Sequence, residues 1–560
     1  MPASPASPLE LHDSARSELA ESPRAPLAGL LSHLGRLWSA DWLRGRGPAV
    51  AFGIVAATCL AAIAASPIHA RLYGHDIFFL LDNGWRALHG QRVHLDYSSA
   101  WGPLTFLLMA GGLAVSHASV ASIGYASAFV ACITGFWAAW LALPRFRSAA
   151  VIIYPVLVAL IAAAPFALGD PPFATSHGMI YNRYGYALLA VILIECFQPA
   201  SDPRSPRRWI EPALTGCAAA LLLFLKITFF LVAVLFFAAS LLQRTKTRVP
   251  AFAAGFFVVS LLFLAYLRFD IAAMLSDLSG AAAARSGTLG VRHDFSALVS
   301  AIRPAVLLGV LAFGCARAAR SRSGITRYFV AAGIVLAADC LLCITNAQSG
   351  AYPLSAVFAL ILLLSIEPAL RSRTDAPFLL IVAAFVTGPF FLEQSGGLIY
   401  AVVEAKSNAD PAGVLRFDSP RLRPLVLYDV PAADVDHFSN GREYVSSLND
   451  GMRLIAANSA PSEKVATLDM FNPFAYALDR EPIRGGIAAA AYRYTLDDIH
   501  HPSPARFFGD AVVVMVPKFP ATPPIFFDGY ARIYAPVIER DFHLAAESAR
   551  WKLYRRGAAQ

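Results

Sequence analysis

Eleven apolar runs recur along this 560-residue chain, near positions 48–68, 119–143, 149–167, 181–198, 210–225, 227–242, 249–268, 298–316, 328–346, 352–369 and 376–393. Runs of this kind match the roughly 20 residues a helix needs to cross a bilayer core of about 30 Å. That core holds no water, so backbone amides and carbonyls must pair within each segment, and helices are the structure the runs permit. Hydrophobic residues make up 57% of the chain and charged residues only 15%, far from a soluble domain. The expected class is a mostly α membrane protein, a bundle of about eleven transmembrane helices with a large first external loop.

The net charge of +8 does not point to nucleic acid. Its basic residues fall in short clusters between apolar runs, the pattern of loops retained on the cytoplasmic side. Charge also decides two ambiguous stretches. Read as one helix, 210–242 would be about 50 Å long against a core of roughly 30 Å. A split at Lys226 makes two short spans and a tight hairpin. It also leaves Arg145/Arg147, Arg204/Arg207/Arg208, Arg244/Lys246/Arg248, Arg317/Arg320/Arg322/Arg327 and Arg371/Arg373 on one side, as the positive-inside rule requires. Residues 103–115 are too short to cross and are expected to lie on or dip into the outer surface. The N-terminus is then cytoplasmic, and the first loop and the C-terminus are external. Only six of the 46 basic residues are Lys, and Ala is abundant. That composition suggests a GC-rich bacterial genome, so the expected location is a bacterial inner membrane facing the periplasm.

Three regions follow: a cytoplasmic N-terminal segment at 1–47, a transmembrane domain at 48–393 and a periplasmic α/β domain at 394–560. Leu27, Leu30, Leu34, Trp38 and Trp42 recur at helical spacing, which fits an interfacial helix and equally a disordered tail with a short amphipathic turn. The stretch before the first run is too long for a signal peptide, so that run is expected to stay as an anchor. In the last region RPLVLYDV, KVATLD and DAVVVMVP read as strands, REYVSSLNDGMRLIAA as a helix, and DFHLAAES with RWKLYRR as a closing strand pair. Phe471-Asn472-Pro473-Phe474 reads as loop packing or as a surface turned to an acceptor. All seven cysteines lie in or beside apolar runs, so this domain is no disulfide scaffold. Cys340 and Cys343 fit helix packing better than a metal site.

The chain carries no Walker loop, glycine-rich dinucleotide fingerprint, H-E-x-x-H or Gly-x-Ser-x-Gly, which removes support for nucleotide-driven transport and nucleotide-sugar chemistry. Chemistry is instead concentrated in the first loop, 74–104, where Asp76, Asp82 and Asp96 stand among aromatic residues. Four histidines in and beside it, His69, His75, His89 and His94, follow no common zinc spacing and read as surface residues. No metal and no cofactor is expected. Asp76 and Asp82 are six residues apart, so on one helix they point in different directions and make no glycosidase-type pair. One is expected to be a general base and the other structural. An ionised aspartate accepts a proton from an attacking hydroxyl, typically worth about 10²- to 10⁴-fold in rate.

The order of an acidic residue after the first span, aromatic and aliphatic positions, Gly90-Gln91, Asp96-Tyr97 and Gly102-Pro103-Leu104 resembles the first external loop of the C-type (GT-C) glycosyltransferase superfamily. Those polytopic enzymes use polyprenyl-phosphate sugars and include aminoarabinose transferases and dolichyl-phosphate-mannose mannosyltransferases. Leu225-Lys226-Ile227-Thr228 is similar to that family's hairpin, and an external C-terminal domain on about eleven spans is similar to its layout. Counted back from Gly90 by the family's spacing, the catalytic Asp falls on Asp76. Many members carry a second acidic residue directly after it. Here that position is Ile77, which speaks against metal dependence and leaves Asp82 as a rival.

The resemblance implies inverting transfer of a sugar from a polyprenyl-phosphate donor to a periplasmic glycan, lipid or protein acceptor, within membrane lipid. The leaving group is a lipid phosphate, whose charge calls for cations at the outer boundary. The candidates are Lys226 at the hairpin tip, Arg183 at the outer end of the fourth span and Arg292 in a later external loop. Asp96, Tyr97, Trp101 and Tyr184 are expected on the acceptor or sugar side. Two other classes fit the composition, a transporter or flippase for a lipid-linked saccharide and a non-catalytic glycan-assembly protein. Transporters place ionisable residues near mid-membrane and show duplicated halves, and neither feature stands out here.

Overall fold

A computed structural model describes residues 42–146, 149–198, 205–242, 248–285, 291–318, 322–346, 348, 350–365, 376–407, 414–429, 441–521 and 524–557. Up to the C-terminal domain its helices are α1 (Trp42–Ala64), α2 (Gly74–Leu88), α3 (Pro103–Val115), α4 (Ser122–Ala142), α5 (Ala150–Ala163), α6 (Ile180–Phe197), α7 (Arg207–Leu225) and α8 (Ile227–Leu241). They continue as α9 (Arg248–Tyr266), α10 (Ile271–Ala284), α11 (Val291–Ser300), α12 (Ile302–Ala318), α13 (Arg322–Thr345), α14 (Pro353–Ser365) and α15 (Ala376–Lys406). Every apolar run is helical. Among the described residues, eight stretches are long and apolar enough to cross a membrane, and the runs at α5, α8 and α14 make shorter apolar helices. In α5 the side chains are buried almost throughout, so its length answers to neighbouring helices rather than to lipid thickness. The tail at 27–41 lies outside the described residues.

Ion pairs fix which helix ends lie together. Arg145 donates to both Glu211 oxygens at 3.1 and 2.7 Å, and Arg207 lies 3.6 Å from the same carboxylate. Arg248 pairs with Glu195 and donates to Ser240. At the opposite end, Lys226 bonds Asn182 and the Gly102 N–H donates to the Leu225 carbonyl. Helices α7 and α8 therefore form a hairpin. It turns at Lys226, whose extended backbone (φ −164°, ψ 123°) ends one helix and begins the next. Arginines 145, 207 and 248 gather at one end of the bundle, and the first loop lies at the other.

Much of that first loop is helix α2, an element the polar residues of the stretch concealed. Phe78, Leu81 and Trp85 recur at helical spacing, and the helix is buried on nearly all sides because the C-terminal domain covers what the bundle does not. Gly90 closes it with φ 77°, its N–H donating to Ala87 and that of Gln91 to Arg86. Farther on, Gly102 abuts the hairpin so closely that a Cβ would fall 2.1 Å from the Phe224 carbonyl oxygen. Pro103 then starts α3 at a position that needs no N–H donor.

The C-terminal domain has a four-stranded sheet in the order β3 (Val465–Thr467), β4 (Val513–Pro517), β6 (Trp551–Arg556), β5 (Phe542–Glu547), parallel only between β3 and β4. The closing pair is thus β5 with β6. Helix α16 (Gly441–Asn458) packs on β6, and α17 (Phe474–Ala477), α18 (Pro504–Phe508) and α19 (Pro524–Asp541) complete the domain. Two sequence boundaries shift. RPLVLYDV does not join this sheet. Its Val426–Leu427 (β2) pairs in parallel with His69–Ala70 (β1), just after the first span. The helix that begins at Ala376 does not stop at 393 but runs to Lys406, where Glu404 accepts from Arg71 at 2.6 Å. The Gly396-Gly397 pair that follows the apolar run does not end the helix, and α15 carries the chain on out of the bundle.

Candidate active site

Asp76 lies in the first turn of α2, where N–H groups without intrahelical partners favour negative charge. Its Oδ2 accepts the Met179 N–H at 3.2 Å, and Met179 caps α6. One carboxylate therefore bridges the starts of two helices. Gly178 makes the approach feasible, since a Cβ there would come 3.0 Å from the Tyr73 ring and 3.2 Å from Asp76 Oδ2. Tyr73, His177 and Met179 adopt φ of 53°, 52° and 50°. Left-handed backbone at non-glycine residues costs of order 1–3 kcal/mol each and clusters at functional sites. The Asp76 side chain is 18% exposed, with His75 Nε2 at 3.5 Å from Oδ1. Burial pushes its carboxyl above the ordinary aspartate value, against the pull of His75 and the Met179 N–H.

Lys226 reaches the same helix start from the hairpin. Its Nζ donates to Asn182 Oδ1 at 3.2 Å and stands 5.1 Å from the Tyr181 ring centroid. Burial, and after it the Arg285 guanidinium, push this ammonium down to about 7. Arg285 ends α10 and lies 4.4 Å from the centroid of the Tyr494 ring. Around Tyr181 stand Trp101 at 5.8 Å and Phe79 at 6.1 Å, and Phe79 in turn meets Phe471 at 5.5 Å. A carboxylate, two cations and an aromatic wall thus surround the first turn of α6.

The other sequence candidates have different surroundings. Asp82 is buried against Arg86 at 3.0 Å, and Arg86 also donates to the Ile483 and Gly485 carbonyls of the C-terminal domain. Gln91 adds two bonds, to Pro482 and Ile483. These residues dock the domain on α2. Asp82→Asn would leave a buried guanidinium without its counter-charge, at a cost of about 3–5 kcal/mol. The expected result is a clear fall in melting temperature with turnover per folded molecule retained.

Arg183 is 1% exposed and turned into the bundle, its Nε donating to the Phe166 carbonyl and its Nη1 to the Ile161 carbonyl and to Gln394. Tyr184 is buried with its hydroxyl on Ser127 at 2.9 Å. Neither meets Asp76 or Lys226. Asp96 accepts the Arg92 N–H at 2.6 Å within its own turn, and Tyr97 is buried beneath Arg86. Trp101 does join the aromatic wall. Arg292 falls in α11 with its side chain outside the described residues. In the C-terminal domain Phe471 stacks on His75 at 5.9 Å, whereas Asn472 bonds inward to Thr467 and Val465.

The histidines need a correction. Of the four, only His89 is exposed. His94 is fully buried on Asp277 at 2.9 Å and His69 meets the Tyr428 hydroxyl at 3.1 Å, because the folded domain covers this end of the bundle. Among the described residues, no group of three or more His, Cys, Asp or Glu converges on a point that a metal would occupy. Arg285 and Tyr494 were not legible as site residues, since each follows an alanine-rich stretch, and Asn182 was passed over for its charged neighbour Arg183.

No protein-family model matches the chain, and no curated protein does. Among solved structures it is similar to the crystal structure of ArnT from Cupriavidus metallidurans in the apo state, over 89% of this chain and 96% of that chain, at 13% identity and a TM-score of 0.39.

Proposed function

We propose that the chain is a multi-pass glycosyltransferase of the bacterial inner membrane that moves a sugar from a polyprenyl-phosphate donor to an acceptor hydroxyl on the periplasmic side. The observation that carries the reading is the approach of Asp76 and Lys226 to the same helix start, one bonded to Met179 and the other to Asn182. A base and a cation so arranged suit the two ends of a displacement. Asp76 takes the proton from the acceptor hydroxyl, whose oxygen attacks the anomeric carbon. The bond from that carbon to the phosphate oxygen breaks with its electron pair, and Lys226, with Arg285 beside it, meets the developing charge. Direct displacement inverts the anomeric centre.

In this reading Asp82 and Arg183 hold the scaffold, and Tyr181 with Trp101 offers faces for the sugar ring. The N-terminus is cytoplasmic and the α/β domain periplasmic, as the clustered arginines at the end opposite Asp76 favour. The test is release of polyprenyl phosphate from vesicles containing purified protein, a panel of polyprenyl-phosphate hexoses and pentoses, and cell-envelope extract as the acceptor source. Release that depends on the extract is expected with at least one donor. A transporter or a non-catalytic assembly protein would leave every donor intact.

A further inference from the structure

A cavity of about 340 Å³ lies outside the residues that the transfer reading uses. It opens between the segment after α5 and the outer parts of α12, α14 and α15. That volume is at the lower end of small-molecule pockets. The buried wall includes Phe166, Tyr352 and Phe390, and the rim carries Asp170, Arg303 and Glu393. Gln394 in the wall is held by Arg183 at 2.7 Å, and the Tyr352 hydroxyl is held by Ser300 at 2.7 Å. The site is therefore built on fixed side chains.

Its chemistry selects a ligand. Oδ2 of Asp170 is buried without a hydrogen-bond partner among the described residues, a condition that favours a ligand able to donate. Phosphate oxygens are acceptors and do not satisfy that carboxylate oxygen. An acyl chain would leave the rim charges desolvated. A polyhydroxylated ring meets both demands, donating O–H to Asp170 and Glu393 while its C–H face rests on Phe166, Phe390 or Tyr352. Asp170 and Gly178 also belong to one connecting segment between α5 and α6, tied back on itself by the Ser176 N–H to the Pro165 carbonyl at 3.0 Å.

We infer that this cavity is a saccharide subsite, holding a hydroxyl-bearing ring of the acceptor glycan while the reacting hydroxyl is presented at Asp76. The inference rests on the transfer reading for the word acceptor, and on the cavity alone for the word saccharide. The test is saturation-transfer difference NMR on the full-length protein in lipid nanodiscs. Its probes are methyl β-D-glucopyranoside, methyl α-D-mannopyranoside, N-acetylglucosamine and inorganic phosphate. At least one glycoside is expected to bind wild type and Asp76→Asn alike. Its affinity should fall about tenfold in Asp170→Asn, the loss of one hydrogen bond to a charged group, and likewise in Glu393→Gln, with melting temperatures showing that both variants fold.

Binding of phosphate alone, or of no glycoside by wild type, overturns the inference. So does a signal lost in Asp76→Asn and kept in Asp170→Asn, which would put the glycoside at the transfer centre as donor sugar. Donor consumption separates the two readings. Turnover without glycoside binding defeats the subsite alone, and glycoside binding at Asp170 without turnover defeats the transfer reading while supporting the saccharide site.

Discussion

Asp76→Asn is expected to lower transfer by about 10²- to 10⁴-fold, the range that general-base help supplies, while the protein still folds. The amide is nearly the same size, and its carbonyl oxygen can keep accepting the Met179 N–H that the carboxylate accepts at 3.2 Å. What is lost is the ability to take a proton. The pH profile carries the same signature. Burial raises the Asp76 carboxyl above the ordinary aspartate value, and only the ionised form acts as a base. Activity should therefore climb as pH rises through that raised value. Initial rates from pH 4 to 7 check this, and a flat acid limb in wild type would count against Asp76.

Lys226→Ala is expected to cost about 10²- to 10³-fold, the effect of removing one donor aimed at developing charge. Here too pH is the sharper test. The ammonium is pushed down to about 7 in the unliganded protein, so it is charged below that pH and loses its proton above it. Donor affinity should weaken as pH rises past 7, seen as an increasing KM, and a bound phosphate will move the corresponding limb of kcat to higher pH. Lys226→Arg removes the alkaline rise in KM because a guanidinium stays charged throughout. If KM in wild type is level from pH 6 to 9, Lys226 does not hold the phosphate.

Helices were legible wherever apolar runs had length, because a bilayer leaves a backbone few alternatives. The hairpin at Lys226 was legible from helix length and charge together. Helix α2 was not, since Asp82, Asn83 and Arg86 break its apolar pattern and their burial depends on a domain some four hundred residues later in the chain. The same distance explains the site. Asp76 stood out by its order relative to Gly90, but the difference between Asp76 and Asp82 lies in partners. One faces Met179 across a helix start, and the other is locked to Arg86. Arg183 and Tyr184 sit on the first turns of α6 beside Tyr181 and Asn182, yet they point into the bundle. Helical rotation over two residues separates a site face from a core face, and an isolated sequence does not reveal which is which.

The central claim is that a lipid-linked sugar is consumed at Asp76, and lipid extracts read it most directly. Mass spectra would be compared for a deletion strain carrying the wild-type chain, Asp76→Asn or no insert. The account predicts that a polyprenyl-phosphate sugar accumulates with Asp76→Asn and with no insert, and returns to its low level with the wild-type chain. Equal donor levels in all three, or an Asp76→Asn chain that clears the donor as well as wild type does, would contradict it.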